Sequence, residues 1–270
     1  MNYLNSISEN TEKVEPYLKL SEIYDRLMEH VDYVQWGNYI KSLLKFATTT
    51  CEVLLDISCG TGGLLQNMQV NGIKLFGSDK SNSMLKKAKT KLPVLRDRLF
   101  VNDAQNIALK NNSVDVVVFL YDSINYIFNE NALAKTFDEI FTVLRRGGLF
   151  IFDTVTEYHC QKYYHDYYDN EHWENQGYYR HSYYDKEKAE QYNNFHIICG
   201  KKSYIENHVQ KIYSVDLLSE FLTNSGFIIC AKYDNFTYNE LYYFYTQHIM
   251  PFYQYYLLST MQLSDFTQRS

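Results

Sequence analysis

The stretch that most constrains this chain is Val53-Leu54-Leu55-Asp56-Ile57-Ser58-Cys59-Gly60-Thr61-Gly62-Gly63. An apolar run too short for a helix ends at an acid and breaks into a glycine-rich turn. Helical apolar spacing then resumes at Leu64, Leu65 and Met68. Strand, tight loop and helix in that order form the unit that cradles a nucleoside-bearing cofactor in doubly wound α/β folds. Gly60 and Gly62 can take positive φ and have no Cβ to hold a ligand away. The loop is not the dinucleotide fingerprint, whose third glycine would fall at Leu65, and no Gly-Lys-Ser/Thr follows it. A smaller, less anionic cofactor than a dinucleotide or nucleoside triphosphate is indicated.

The rest of the chain repeats the alternation. Residues 73–77 read as a second strand ended by Ser78 and Asp79, an acid spaced for ribose hydroxyls. Ser81 reads as the N-cap of a basic helix carrying Met84, Leu85 and Ala88. Further strands are predicted at 99–101, 114–120 and 149–152, with a helix over 132–144. Ahead of these lie two helical stretches, from about Tyr17 to Val31 and from Tyr33 to Phe46. Beyond residue 153 the pattern changes to three extended segments, 178–184, 191–199 and 202–213, an antiparallel meander. A helix from Ser214 to Asn224, a strand over 227–233, a last strand over 241–248 and a tail helix follow.

This predicts a Rossmann-like, doubly wound α/β fold: a mostly parallel seven-stranded sheet, N-terminal lid helices and an inserted antiparallel β-meander. The expected divisions are lid helices over 1–50, a cofactor-binding core over 51–170, a cap over 171–213, the end of the core sheet over 214–250 and a tail helix over 251–270.

Composition narrows the function. A net charge of −6 argues against a polynucleotide partner, which needs a basic field. No basic-then-apolar leader and no bilayer-length apolar run are seen, so a cytoplasmic protein without membrane attachment is expected. The cysteines, at 51, 59, 160, 199 and 230, form neither a CxxC pair nor a zinc-ribbon spacing and read as free thiols. His, Cys and carboxylates do not fall at metal-ligand spacings, so no metal is predicted. The 27 tyrosines stand out, as large rigid surfaces with a polar tip that suit a ligand pocket.

Taken in order, these motifs resemble those of class I S-adenosylmethionine-dependent methyltransferases, in their small-molecule branch. Residues 55–62 are similar to the first motif of that superfamily, and Gly77-Ser78-Asp79-Lys80-Ser81 to the second. Phe119-Leu120-Tyr121-Asp122-Ser123-Ile124-Asn125-Tyr126 resembles the fourth-strand segment that faces the methyl group. Leu144-Arg145-Arg146-Gly147-Gly148-Leu149 resembles the turn before the fifth strand. Ser58 departs from the pattern, where many members carry glycine.

The resemblance implies S-adenosyl-L-methionine as cofactor and assigns the residues around it. Asp56 would hold the loop and the methionine ammonium. The backbone of Ser58, Gly60 and Gly62 would lie against the amino-acid end, and Asp79 would bind the ribose. Lys80 and Met84 would lie near the nucleoside, with Asp103 and Ala104 at the adenine. Tyr17, Tyr24 and Trp36 of the lid would close over the cofactor or else form a plain core stripe, and Tyr121 would border the cofactor as well.

On the acceptor side stand Tyr121, Asn125, Tyr126 and His208. His208 shares one strand face with Tyr204, Glu206 and Gln210 by period 2, a face that reads as solvated. The implied activity is methyl transfer to nitrogen or oxygen of a small molecule, by a monomer or homodimer. A tRNA or protein methyltransferase and a non-catalytic cofactor-binding subunit are the alternatives.

Overall fold

A computed structural model describes residues 11–68, 72–234 and 254–259. In chain order the strands are β1 (Thr11–Lys13), β2 (Val53–Asp56), β3 (Lys74–Asp79), β4 (Leu99–Val101), β5 (Val114–Phe119), β6 (Leu144–Thr154), β7 (Tyr167–Trp173), β8 (Gln176–Asp185), β9 (Glu190–Cys199), β10 (Lys202–Lys211), β11 (Ile228–Asp234) and β12 (Gln254–Ser259). The helices are α1 (Leu20–Leu27), α2 (Tyr33–Leu43), α3 (Gly63–Asn67), α4 (Asn82–Lys91), α5 (Glu130–Val143), α6 (Glu157–Tyr163) and α7 (Val215–Asn224).

Seven strands form the main sheet in the order β11-β12-β6-β5-β2-β3-β4. From β6 to β4 all neighbours are parallel; β12 runs antiparallel between β6 and β11. The centre is β5, Val-Asp-Val-Val-Val-Phe, buried at every position as a strand covered on both faces must be. One face packs the α2 stripe of Trp36, Tyr39, Ile40 and Leu43 with Leu64 and Leu65 of α3. The other packs Leu133, Phe137 and Ile140 of α5 with Leu218 and Leu222 of α7. Ser81 and Ser214 cap α4 and α7 as their positions predicted, each hydroxyl accepting a backbone N–H in the first turn.

The second sheet is larger than the three segments predicted. Its order is β1-β10-β9-β8-β7, so β7 extends one edge and β1 the other. The Tyr/His-rich stretch after the fifth core strand is β7, paired with β8 from Tyr167↔Ser182 to Trp173↔Gln176. Residues 11–13 pair in parallel with β10. Leu20 and Ile23 of α1 pack on Tyr178, Phe195, Ile197 and Tyr204 of this sheet, while Asp25 of the same helix bonds Thr61 of the glycine loop and Lys91 of α4.

Two expectations about the C-terminus meet different fates. Within the tail helix expected over 251–270, residues 254–259 instead form β12, hydrogen-bonded on both sides, and the rest lie outside the described residues. That strand fills the slot between β6 and β11. The strand expected over 241–248 lies outside the described residues.

Candidate active site

The main sheet reverses its strand order between β2 and β5, and ligands bind beyond the carboxyl ends of strands at such a switch point. The loop from Asp56 to Gly63 leaves β2 there. Gly60 has φ +53° and Gly62 has φ +84°, a region that penalises side chains. The two glycines do different work. Gly60 faces a cavity of about 570 Å³, and a Cβ on it would stand 3.3 Å from the Met84 methyl. Gly62 caps α3 and turns inward, where a Cβ would meet Leu92 Cδ1 at 2.5 Å; it shapes the loop without lining the cavity.

Asp79, the last residue of β3, ties the loop to the next element. One carboxylate oxygen accepts from the Gly60 amide at 2.8 Å and the other from the Ser81 amide at 2.7 Å. Asp56 is buried (3% exposed), with the Ser58 amide donating to it at 3.2 Å. Burial pushes its carboxyl up to about 7, the Ser58 amide working the other way and the Asp79 charge adding to the rise. Burial likewise raises Asp79 against the pull of its two amides. Partial burial also acts on Asp103, but the Gln105 amide and Lys80 outweigh it and hold that carboxyl below its ordinary value. Lys80 is mostly exposed (78%) and pairs with Asp103 at 2.9 Å, at the open rim.

Asp56, Ser58, Gly60, Asp79, Lys80, Met84, Asp103, Ala104, Tyr24 and Tyr121 all line the 570 Å³ cavity. Of the residues the sequence assigned to the cofactor, Trp36 and Gly62 do not. Trp36 packs on Tyr121, ring centroids 5.0 Å apart, and borders a second, larger cavity.

That second cavity, of about 1320 Å³, lies between α1, the carboxyl end of β5 and the second sheet. Tyr17, Tyr24, Tyr121 and Tyr126 line both spaces and form the wall between them. The turn after β5 presents this wall in a strained form, with Tyr121 at φ +59° and Asp122 at φ +51°. Asp122 faces the larger cavity; burial lifts its carboxyl to about 6, against Gln210 and Arg180.

Asn125 is not a wall residue. Its amide nitrogen donates to the Lys211 carbonyl at 2.8 Å, and its oxygen accepts from Thr154 Oγ1 and the Val155 amide at 3.1 Å each. With its side-chain oxygen and nitrogen bound to main-sheet and second-sheet partners, it clamps the two sheets together and lines neither cavity.

His208 corrects the expected solvated face. It is 1% exposed, and Tyr204, Glu206 and Gln210 beside it are buried too, because α1 and the residues before it cover that face of β10. Glu206 was not singled out by sequence. Its carboxylate accepts from the backbone amides of Tyr17, Lys19 and Leu20, anchoring the start of α1. The only signal for it was its place two residues before His208.

The cavity fits S-adenosylmethionine by its own features. A Cβ-free loop residue faces the space, a strand-end carboxylate stands one strand away, and the Tyr121 hydroxyl is buried with no partner among the described residues. When bound, the cofactor supplies a methyl group already activated on a sulfonium.

Comparisons with known proteins support a class I S-adenosylmethionine-dependent methyltransferase with S-adenosylmethionine as its cofactor. A methyltransferase-domain family model matches residues 54–148. The Bacillus subtilis (strain 168) protein YqeM, which carries a methyltransferase name, is 28% identical over 229 residues, spanning 83% of this chain and 91% of that one. The crystal structure of an S-adenosylmethionine-dependent methyltransferase from Clostridium acetobutylicum ATCC 824 superposes with a TM-score of 0.75 at 25% identity, covering 91% of this chain and 99% of that one. The sugar N-methyltransferase KedS8 from Streptoalloteichus sp ATCC 53650 shares the fold, with a TM-score of 0.73 at 16% identity and coverage of 95% and 99%. Among the described residues no helix is long and apolar enough to cross a membrane.

Proposed function

We propose that this enzyme methylates a nitrogen or oxygen of a small molecule held in the larger cavity. The observation that carries the reading is the pair of adjoining cavities with one tyrosine wall between them. A space of about 1320 Å³ accommodates a small acceptor, and the second sheet forms its cap. Its charged lining favours a nitrogen-bearing acceptor: the carboxylates of Glu29, Asp32, Asp122, Asp169 and Glu171 outnumber the guanidiniums of Arg26 and Arg180, and tyrosine faces attract cations. The same lining disfavours a polyanion such as tRNA. The sugar N-methyltransferase KedS8 and the amino pentose methyltransferase CalS10, which share the fold, support a small acceptor.

In this reading Asp56 faces the methionine ammonium, Asp79 binds the ribose hydroxyls, and Asp103 and Ala104 meet the adenine beside Met84. Tyr17 and Tyr24 close the lid side. Catalysis rests on orientation: an acceptor lone pair aligned with the methyl group and shielded from water gains roughly 7–11 kcal/mol in favourable cases.

The test is incubation with methyl-deuterated S-adenosylmethionine and a small-molecule cell extract, alongside total tRNA and total protein, read by mass spectrometry. Label in the low-mass fraction is expected. Label confined to RNA or protein overturns the proposal.

A further inference from the structure

Four side chains from three parts of the chain close a ring of hydrogen bonds at the wall between the cavities. The Tyr17 amide donates to Glu206 Oε2 at 2.7 Å, and His208 Nε2 lies 3.1 Å from the same oxygen. His208 Nδ1 lies 3.2 Å from Tyr126 Oη, and Tyr17 Oη donates to Tyr126 Oη at 2.8 Å. Glu206 and His208 are buried, at 0% and 1% exposed.

With Glu206 ionised, the network admits one arrangement of protons. Three backbone amides donate to the Glu206 carboxylate, so that carboxylate is an acceptor only. Its contact with His208 therefore requires a proton on Nε2, which leaves the Nδ1 lone pair facing Tyr126. Tyr126 gives its proton to Nδ1, receives one from Tyr17, and keeps one lone pair for a further donor. Tyr126 borders both cavities.

We propose that Glu206, His208 and Tyr126 form a proton relay for methyl transfer, with Tyr126 as the catalytic residue and Glu206 and His208 as positioning residues behind it. As the acceptor atom bonds the methyl carbon, the carbon–sulfur bond breaks and its electron pair stays on the departing thioether of S-adenosylhomocysteine; the acceptor's N–H or O–H bond also breaks, and that proton passes to Tyr126 Oη. The phenolic proton moves to His208 Nδ1, and the resulting imidazolium is held against the Glu206 carboxylate. One proton is transferred, and no oxidant or reductant is needed. Tyr17 joins the ring through both its amide and its hydroxyl, so a displaced lid breaks the relay. The other groups facing it are Asp122 and Arg180, which act on Tyr126 through space, and the ring of Phe195, which lies edge-on to His208.

The relay rests on the transferase assignment but has a test that needs no known acceptor. The full chain, labelled with ¹⁵N-histidine and saturated with S-adenosylhomocysteine, is read by long-range ¹H–¹⁵N correlation, and His208 is identified by the signals lost in His208→Gln. Wild type is expected to show Nε2 protonated and Nδ1 bare. In Glu206→Gln the amide nitrogen faces Nε2 as a donor, so the tautomer is expected to invert. A protonated Nδ1 in wild type, or a Glu206→Gln spectrum like wild type, overturns the relay.

Tyr126→Phe covers the case in which Glu206→Gln does not fold. It is expected to keep the Nε2–H tautomer and cofactor binding, while label transfer from methyl-deuterated S-adenosylmethionine to the extract slows about a hundredfold. An unchanged rate overturns the relay. Failure of wild type to bind S-adenosylhomocysteine contradicts the transferase assignment instead.

Discussion

Asp79 shows how one side chain can carry two duties. Its oxygens hold the Gly60 and Ser81 amides while it stands at the edge of the cofactor cavity. Asp79→Ala is expected to weaken S-adenosylhomocysteine binding by about 1–3 kcal/mol, the cost of leaving polar groups unpaired, as read by calorimetry. Unchanged affinity contradicts the ribose role. Asp56 adds a pH dependence. Burial raises its carboxyl to about 7, so its contribution to folding is complete below its unfolded value near 4 and is lost as pH rises through about 7. An ammonium ligand reverses that preference by selecting the ionised form. Affinity for S-adenosylhomocysteine should therefore climb between pH 5 and 7, by at most about tenfold per unit, and level off above. Asp56→Asn should keep only the slope Asp79 contributes; an unaltered slope removes Asp56 from the ammonium site. These acids were legible in the sequence because each ends a strand next to a turn. Glu206 was not, because alternation along a strand tells which residues share a face but not what covers that face. The bonds of Asn125 were hidden for a related reason: position after the fourth strand does not reveal that its amide reaches both sheets.

The loop between β2 and α3 separates conformational need from ligand contact. Both glycines have positive φ, but only Gly60 lines the cavity. Gly62→Ala is expected to cost about 1–3 kcal/mol of stability, from backbone strain and the clash with Leu92, measured by urea unfolding. It should leave cofactor affinity nearly unchanged. Gly60→Val is also strained, yet it should abolish binding under conditions where both variants stay folded. Normal binding by Gly60→Val excludes the loop from the site. The core elements were readable because buried parallel strands and striped helices have distinct periods. Three edge elements were not. β1 is too short to show a pattern, β7 is a polar and aromatic edge strand, and β12 is completed by partners on both sides. Pairing, not local sequence, makes each of them a strand.

At the scale of the whole molecule, the shape of the larger cavity depends on how the second sheet is fixed over the end of the first. The larger cavity has the end of β5 as floor, and β8, β9 and β10 as part of its wall, so any shift between the sheets changes its shape. α1 bridges them from the front: Leu20 and Ile23 pack on the second sheet, while Thr61 of the glycine loop and Lys91 of α4 both bond Asp25. Asn125 bridges them from behind, joining the Lys211 carbonyl of β10 to Thr154 and Val155 at the end of β6. The clamp works only with a donor on one side of the side chain and an acceptor on the other, which is the chemistry of an amide. Asn125→Asp keeps the shape but sets a carboxylate oxygen against the Lys211 carbonyl in a fully buried place. The expected loss is at least about 3 kcal/mol near neutral pH, the upper end for an unsatisfied buried polar group. The sign of its pH dependence follows from burial, which favours the protonated acid: once protonated, the introduced carboxyl can donate to the carbonyl, so stability should recover as pH falls toward 5 and worsen as it rises. Urea unfolding of wild type and variant across that range checks both points. If the clamp is what registers the sheets, and the larger cavity holds the acceptor as proposed, the variant at neutral pH should also lose acceptor methylation before it loses S-adenosylhomocysteine binding, because only the larger cavity is walled by strands of the second sheet.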